Sequence, residues 1–254
     1  MKSLFKFSFN KVFIGALFLL IILNVIGAVS EDALFLQSTK PLFVPVFLIF
    51  FFIKNKTLKI PFILFLLYSF LGDSASMFFS NETFIRASSI MYFLSYMCLI
   101  GFMLPKFKLV EFNKVITLYL VIVVFINMYF LYSVYNLLKT IVPDSLEVFL
   151  FGIKSISLIV LVSIALGVYL NNETRLSIFF LMMAFCFVFS DMLNYVSQYY
   201  VYHWSFSMLD RVLHVIGLFF LFNYIMEYNK VPKIRGRQVL ETTSKELATK
   251  NILA

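Results

Sequence analysis

The sequence carries very little charge for its length. Asp, Glu, Lys and Arg make up 13% of its 254 residues, too few to cover a soluble domain of this size. Glycine (8) and proline (6) are scarce as well, which favours long unbroken helices over a loop-rich fold. The two cysteines, Cys98 and Cys186, both fall inside apolar runs, so neither a disulfide framework nor a zinc site is indicated. The two histidines, His203 and His214, are too few to build a metal site, and no metal or other cofactor is expected. Gly-rich phosphate loops and GxSxG elbows are both missing, and with them the usual signatures of nucleotide binding and serine esterases.

What is present is apolar. Hydrophobic residues make 62% of the chain, Phe alone contributes 34, and the mean hydropathy is +0.95. The apolar runs are continuous over about twenty residues, the length of a membrane-spanning helix. A transmembrane barrel would instead alternate apolar and polar positions in segments of about ten. The expected fold is therefore an all-α polytopic membrane protein with eight spans in a bundle. The spans run near Val12–Val29, Lys40–Ile53, Ile60–Phe79, Phe84–Leu104, Lys114–Leu138, Leu146–Leu170, Leu176–Tyr200 and Ser207–Tyr228. Ala28-Val29-Ser30 resembles a signal-peptide cleavage site, but the first run is long for a signal peptide and reads as a retained helix. Residues 1–229 form the membrane domain, and 230–254 a polar tail that is flexible or a short surface helix.

The net charge of +8 does not indicate nucleic-acid binding, because the basic residues sit in short loops rather than in an aromatic-interleaved stripe. They cluster at the amino terminus, after spans two, four and six, and in the tail. Only Lys40, Arg86, Lys139 and Arg211 fall on the other side. The positive-inside rule then places both termini in the cytoplasm, and an even number of spans agrees with that. The expected location is a bacterial inner membrane, with the bilayer as the surrounding partner. The oligomeric state is open.

Within the apolar runs a few ionisable residues stand out. Asp73 interrupts span three and Asp191 span seven. An ionised carboxylate at such depth costs about 3 kcal/mol on insertion scales and is kept where something pairs with it or uses it. Helical rise puts Asp73 roughly 9 Å and Asp191 roughly 13 Å below the outer ends of their spans, with Lys154 and His214 at roughly 12 Å. Lys40, Asp210 and Arg211 lie near the outer mouth, so one polar layer is expected in the outer half. Asp73 shares a helix face with Ser69, Ser76 and Ser80, and Asp191 shares one with Asn194, Tyr195 and Gln198. Hydroxyl stripes of this kind also serve as helix–helix seams. Lys40 and Lys154 precede the two Asp residues by one helix each, at separations of 114 and 118 positions between the halves, as a parallel repeat of four spans would produce.

Two carboxylates in a weakly polar cavity are the equipment of acid-catalysed cleavage through an oxocarbenium ion. The same layer also suits a proton-coupled transporter or a lipid-binding protein without hydrolase activity. Thr39-Lys40-Pro41-Leu42 at span two, Gly72-Asp73 in span three and Phe187-Val188-Phe189-Ser190-Asp191 in span seven resemble the YhhN/TMEM86 family. The resemblance covers the order of spans from Phe13 to Tyr228. It departs from the family pattern at Ser95-Tyr96 in span four and at Arg211 and His214 in span eight. It implies a lysoplasmalogenase-like hydrolase that opens the vinyl-ether bond of a lysophospholipid. In that reading Asp73 and Asp191 are catalytic, while Lys40, Lys154, Arg211, His214, Tyr195 and Asn194 line the substrate site.

Overall fold

Every described regular element is a helix. The structure, a computed structural model, describes residues 11–30, 38–54, 58–77, 82–107, 113–200 and 204–252. The helices are α1 (Lys11–Val29), α2 (Phe43–Lys54), α3 (Ile60–Ser76), α4 (Glu82–Phe107), α5 (Lys114–Ile141), α6 (Ser145–Asn171), α7 (Arg175–Tyr199) and α8 (Trp204–Ile252). Five of these (α4, α5, α6, α7 and the segment Trp204–Asn229 of α8) are long and apolar enough to cross a membrane. The chain is an integral membrane protein.

Local chemistry explains the helix ends. Pro61 occupies the first turn of α3, where its missing N–H costs nothing. Asp144 caps α6 by accepting from the Leu146 backbone N–H. A Thr174–Ser177 capping box starts α7. Three boundaries differ from the sequence reading. Lys40 is not the first residue of a helix but lies in a turn before α2, since a residue preceding proline is pushed out of the helical region. α4 does not close at Pro105 but runs to Phe107, because a proline so near the end sacrifices only one backbone hydrogen bond. α8 does not stop near Tyr228 but continues through Pro232 to Ile252, over residues of good helix propensity such as Glu241, Leu247 and Ala248.

The closest-packed pairs are α7 with α8 and α3 with α4. α6 lies against α4, α5 and α7, while α8 also meets α1 and α2. Lipid tails are as apolar as Leu, so helices associate here through close packing rather than a hydrophobic driving force. Aromatic rings supply much of that packing. Phe62, Phe65, Phe180, Phe187 and Tyr224 are all nearly or wholly excluded from solvent in one continuous core. Gly217 lets Phe187 approach α8: a Cβ there would stand 2.7 Å from the ring. α5 stands at the periphery, with Val115 and Phe125 each 72% exposed and only Leu138 fully buried, as suits a lipid-facing helix. A smaller cluster of Leu138, Val148, Phe151 and Tyr195 ties it to α6 and α7.

Candidate functional site

Asp73 has no solvent exposure and lies on the α3 face that meets α4. Gly72 beside it keeps that interface thin: a Cβ at Gly72 would stand 3.3 Å from the Tyr92 ring. The Tyr92 hydroxyl donates to Asp73 Oδ1. Ser88 fastens the same two helices by donating to the Gly72 carbonyl at 2.9 Å. Lys40 Nζ reaches in from the turn before α2, 3.9 Å from Asp73 Oδ1 and 3.5 Å from Asp210 Oδ2. It also stands 5.7 Å from the centre of the Tyr92 ring. From α8, His214 Nε2 faces Asp73 Oδ2 at 3.9 Å.

α7 contributes two residues. The Ser190 hydroxyl donates to Asp210 Oδ1, and Asp191 pairs with Lys154 Nζ of α6 at 2.5 Å. Arg211, one position after Asp210, turns toward α1, where its Nη1 lies 3.4 Å from Asn24 Oδ1. Thr39 donates to that same oxygen at 3.0 Å. Lys40, Lys154 and Arg211 thus balance Asp73, Asp191 and Asp210 in one layer, as the cost of unpaired charge in a membrane demands. His214 and Tyr96 lie within electrostatic reach of all three carboxylates.

Three buried polar side-chain atoms have no hydrogen-bond partner among the described residues: Ser69 Oγ, Asp73 Oδ2 and His214 Nε2. Buried polar groups are almost always paired, so an unpaired set at one place singles this point out as the candidate site. Ser69 is one turn from Asp73 on the same helix face.

The structure therefore brings together Asp73, Lys40 and His214, and separately Asp191 and Lys154, with Arg211 at the edge. Tyr195 lies in the smaller cluster, stacked on Phe151 at 4.8 Å, with its hydroxyl 3.3 Å from that of Tyr200. Phe151 in turn lies 5.8 Å from Lys154 Nζ, so Tyr195 is one ring removed from the Lys154–Asp191 pair. Asn194 is half-buried. Along the α3 stripe, Ser76 donates to its own helix at the Asp73 carbonyl, and Ser80 and His203 lie outside the described residues. Sequence reasoning missed Tyr92 and placed Asp210 only at the mouth. A numerical signal was there: 118 positions separate Asp73 from Asp191, Tyr92 from Asp210 and Tyr96 from His214. Comparison with models of known protein families, with curated proteins and with solved structures found no match.

Proposed function

We propose that the protein is a membrane-embedded hydrolase acting on the vinyl-ether bond of a lysoplasmalogen or a related ether lysolipid. The observation that carries this reading is the unpartnered pair Asp73 Oδ2 and His214 Nε2, 3.9 Å apart and buried. In the reaction a proton from Asp73 adds to the β-carbon of the vinyl ether, and the positive charge moves to the ether-bearing carbon as an oxocarbenium ion. Water adds to that carbon and gives up a proton, restoring the acid. The hemiacetal then collapses to a fatty aldehyde and the glycerophospho head group, so the net co-reactant is one water. Tyr92 orients the Asp73 carboxyl through Oδ1. Asp191, held by Lys154, supplies fixed negative potential to the cation. With the proton on Asp73 the charge layer carries one surplus positive charge, which suits a phosphate-bearing substrate held by Lys40 and Arg211.

The family resemblance supports this reading, and so does the packing below the site. Phe62, Phe65, Phe180 and Tyr224 fill the bundle between Asp73 and the end of α4 that bears Lys106. A transporter needs a water path through that region, which disfavours the alternative of a proton-coupled carrier. The shorter helices α1, α2 and α3 complete eight spans in this reading, with both termini in the cytoplasm of a bacterial inner membrane. In this reading the two halves are a parallel repeat, supported by a Lys–Asp pair in each half, Lys40–Asp73 and Lys154–Asp191, and by the close α3–α4 and α7–α8 packing. The test is aldehyde release from a lysoplasmalogen by the purified protein, with Asp73→Asn as the control that abolishes it.

A further inference from the structure

A second polar cluster lies at the other end of α3, about 21 Å of helical rise from Asp73. Lys59, just before α3, donates from Nζ to the Tyr228 hydroxyl at 2.8 Å and sits 4.4 Å from the centre of that ring. Lys106, in the last turn of α4, donates to the Tyr224 hydroxyl and sits 4.5 Å from the Tyr228 ring centre. The two tyrosines are one turn apart on α8 and stack at 6.0 Å. The ends of α3 and α4 thus hold two ammonium groups over one aromatic pair of α8.

The cluster has no carboxylate paired with it among the described residues. Among the described residues no carboxylate lies within 4.0 Å of either ammonium, and Lys59 and Lys106 repel one another. In the central layer every lysine has a carboxylate. The hydrogen bonds to tyrosine use one N–H of each lysine, and an ammonium has three. The Tyr224 proton is directed to Met103 Sδ at 3.6 Å, a weak acceptor, whereas the Tyr228 proton has no acceptor among the described residues. The unused donors call for an oxyanion with several acceptor oxygens. Beside them Ile60 (71% exposed) and Leu104 (40% exposed) present apolar surface at the helix ends, where an acyl chain can lie.

We infer that Lys59, Lys106 and Tyr228 form a binding site for a phosphate oxyanion, that of an anionic phospholipid in the leaflet on the side of the basic loops. The site is separate from the Asp73 layer and does not depend on the proposed hydrolase activity. It anchors the ends of α3 and α4, together with the Tyr224–Tyr228 turn of α8, to the membrane surface, as juxtamembrane basic residues do with anionic lipids.

The experiment uses the full-length protein in nanodiscs of phosphatidylcholine, with and without phosphatidylglycerol, and reads thermal unfolding. Phosphatidylglycerol is expected to raise the Tm by roughly 2–4 °C, the shift that about 1 kcal/mol gives a protein of this size. Lys59→Gln and Lys106→Gln should each remove at least half of that rise, and Lys59→Arg should keep it. Lys59 is exposed, so its replacement leaves the fold intact. Native mass spectrometry of the same variants should show fewer retained phosphatidylglycerol molecules. If millimolar inorganic phosphate in phosphatidylcholine discs produces the same lysine-dependent rise, the ligand is free phosphate and the lipid assignment is overturned. An equal phosphatidylglycerol effect in wild type and Lys59→Gln, or none in either, overturns the site itself.

Discussion

Asp73 and His214 face each other at 3.9 Å between α3 and α8, and neither facing atom has a hydrogen-bond partner among the described residues. The other carboxyl oxygen of Asp73 is occupied by Tyr92 and Lys40. One oxygen is held and one is presented, the division that the proposed proton delivery by Asp73 needs.

The held side gives the first prediction. Tyr92→Phe keeps the ring that packs on Gly72 and removes only the donor to Asp73. The carboxyl becomes charged as its proton leaves, and a hydrogen bond to a charged group contributes about 1.5–3 kcal/mol, so kcat for aldehyde release should fall about 10–100-fold with the fold retained. Steady-state kinetics checks this, and an unchanged kcat removes Tyr92 from the account.

The Lys154–Asp191 pair is mostly buried, with side chains 9% and 13% exposed. Removing one member strands the other charge in an apolar setting, which costs about 3–5 kcal/mol. Lys154→Met and Asp191→Leu should each lower thermal stability in detergent by that order. The double variant should recover most of the loss while remaining inactive. A double variant as unstable as the singles would mean that the pair is not an isolated unit.

Close approach at Gly217 is testable through packing alone. A methyl group there would meet two Phe187 ring carbons at 2.7 and 2.9 Å, and Phe187 itself packs 5.4 Å from the His214 ring. Gly217→Ala should destabilise by about 1–3 kcal/mol, as overpacked cores do, and should displace His214 enough to slow the reaction. Thermal unfolding and kinetics together separate the two effects.

Where α4 begins, Arg86 Nε donates to Asp144 Oδ2 at 2.8 Å and joins α4 to the start of α6. Partial desolvation pushes the Asp144 carboxyl up, but the Leu146 N–H and the Arg86 guanidinium outweigh it and hold the carboxyl below its ordinary value. A depressed folded value means the contribution is complete above the unfolded value of about 3.9 and is lost as pH falls through the folded one. The stability difference between wild type and Arg86→Gln should therefore be constant from about pH 7 to 5 and shrink below about pH 4.

Much of the site was legible in the sequence because charge in an apolar run is conspicuous. Asp73, Asp191, Lys154 and His214 stood out on that ground, and helical rise placed them in one layer; Lys40 stood out too but was placed near the mouth. Tyr92 did not, because an aromatic residue in an apolar helix looks like any other core residue until its hydroxyl finds a partner. Asp210 was visible but misplaced. Its depth was judged from the span end alone, whereas Ser190 and Lys40 draw it into the central layer. The Pro105 and Pro232 boundaries were overread, since proline weakens a helix by one hydrogen bond and neighbouring residues can carry it onward. The hydroxyl stripe of α3 was half right. Ser76 bonds back to its own helix, and Ser69 is buried one turn from Asp73 with its hydroxyl unpartnered among the described residues.

The most direct measurement is aldehyde release from a defined lysoplasmalogen by wild type and Asp73→Asn, both purified, lipid-reconstituted and shown to be folded by circular dichroism. Asparagine keeps the shape and loses the transferable acid proton. The account predicts measurable release by wild type and a loss of at least about 100-fold in Asp73→Asn, the lower end of general acid catalysis. Release at the wild-type rate by folded Asp73→Asn, or no release by wild type from any vinyl-ether lysolipid, would contradict it.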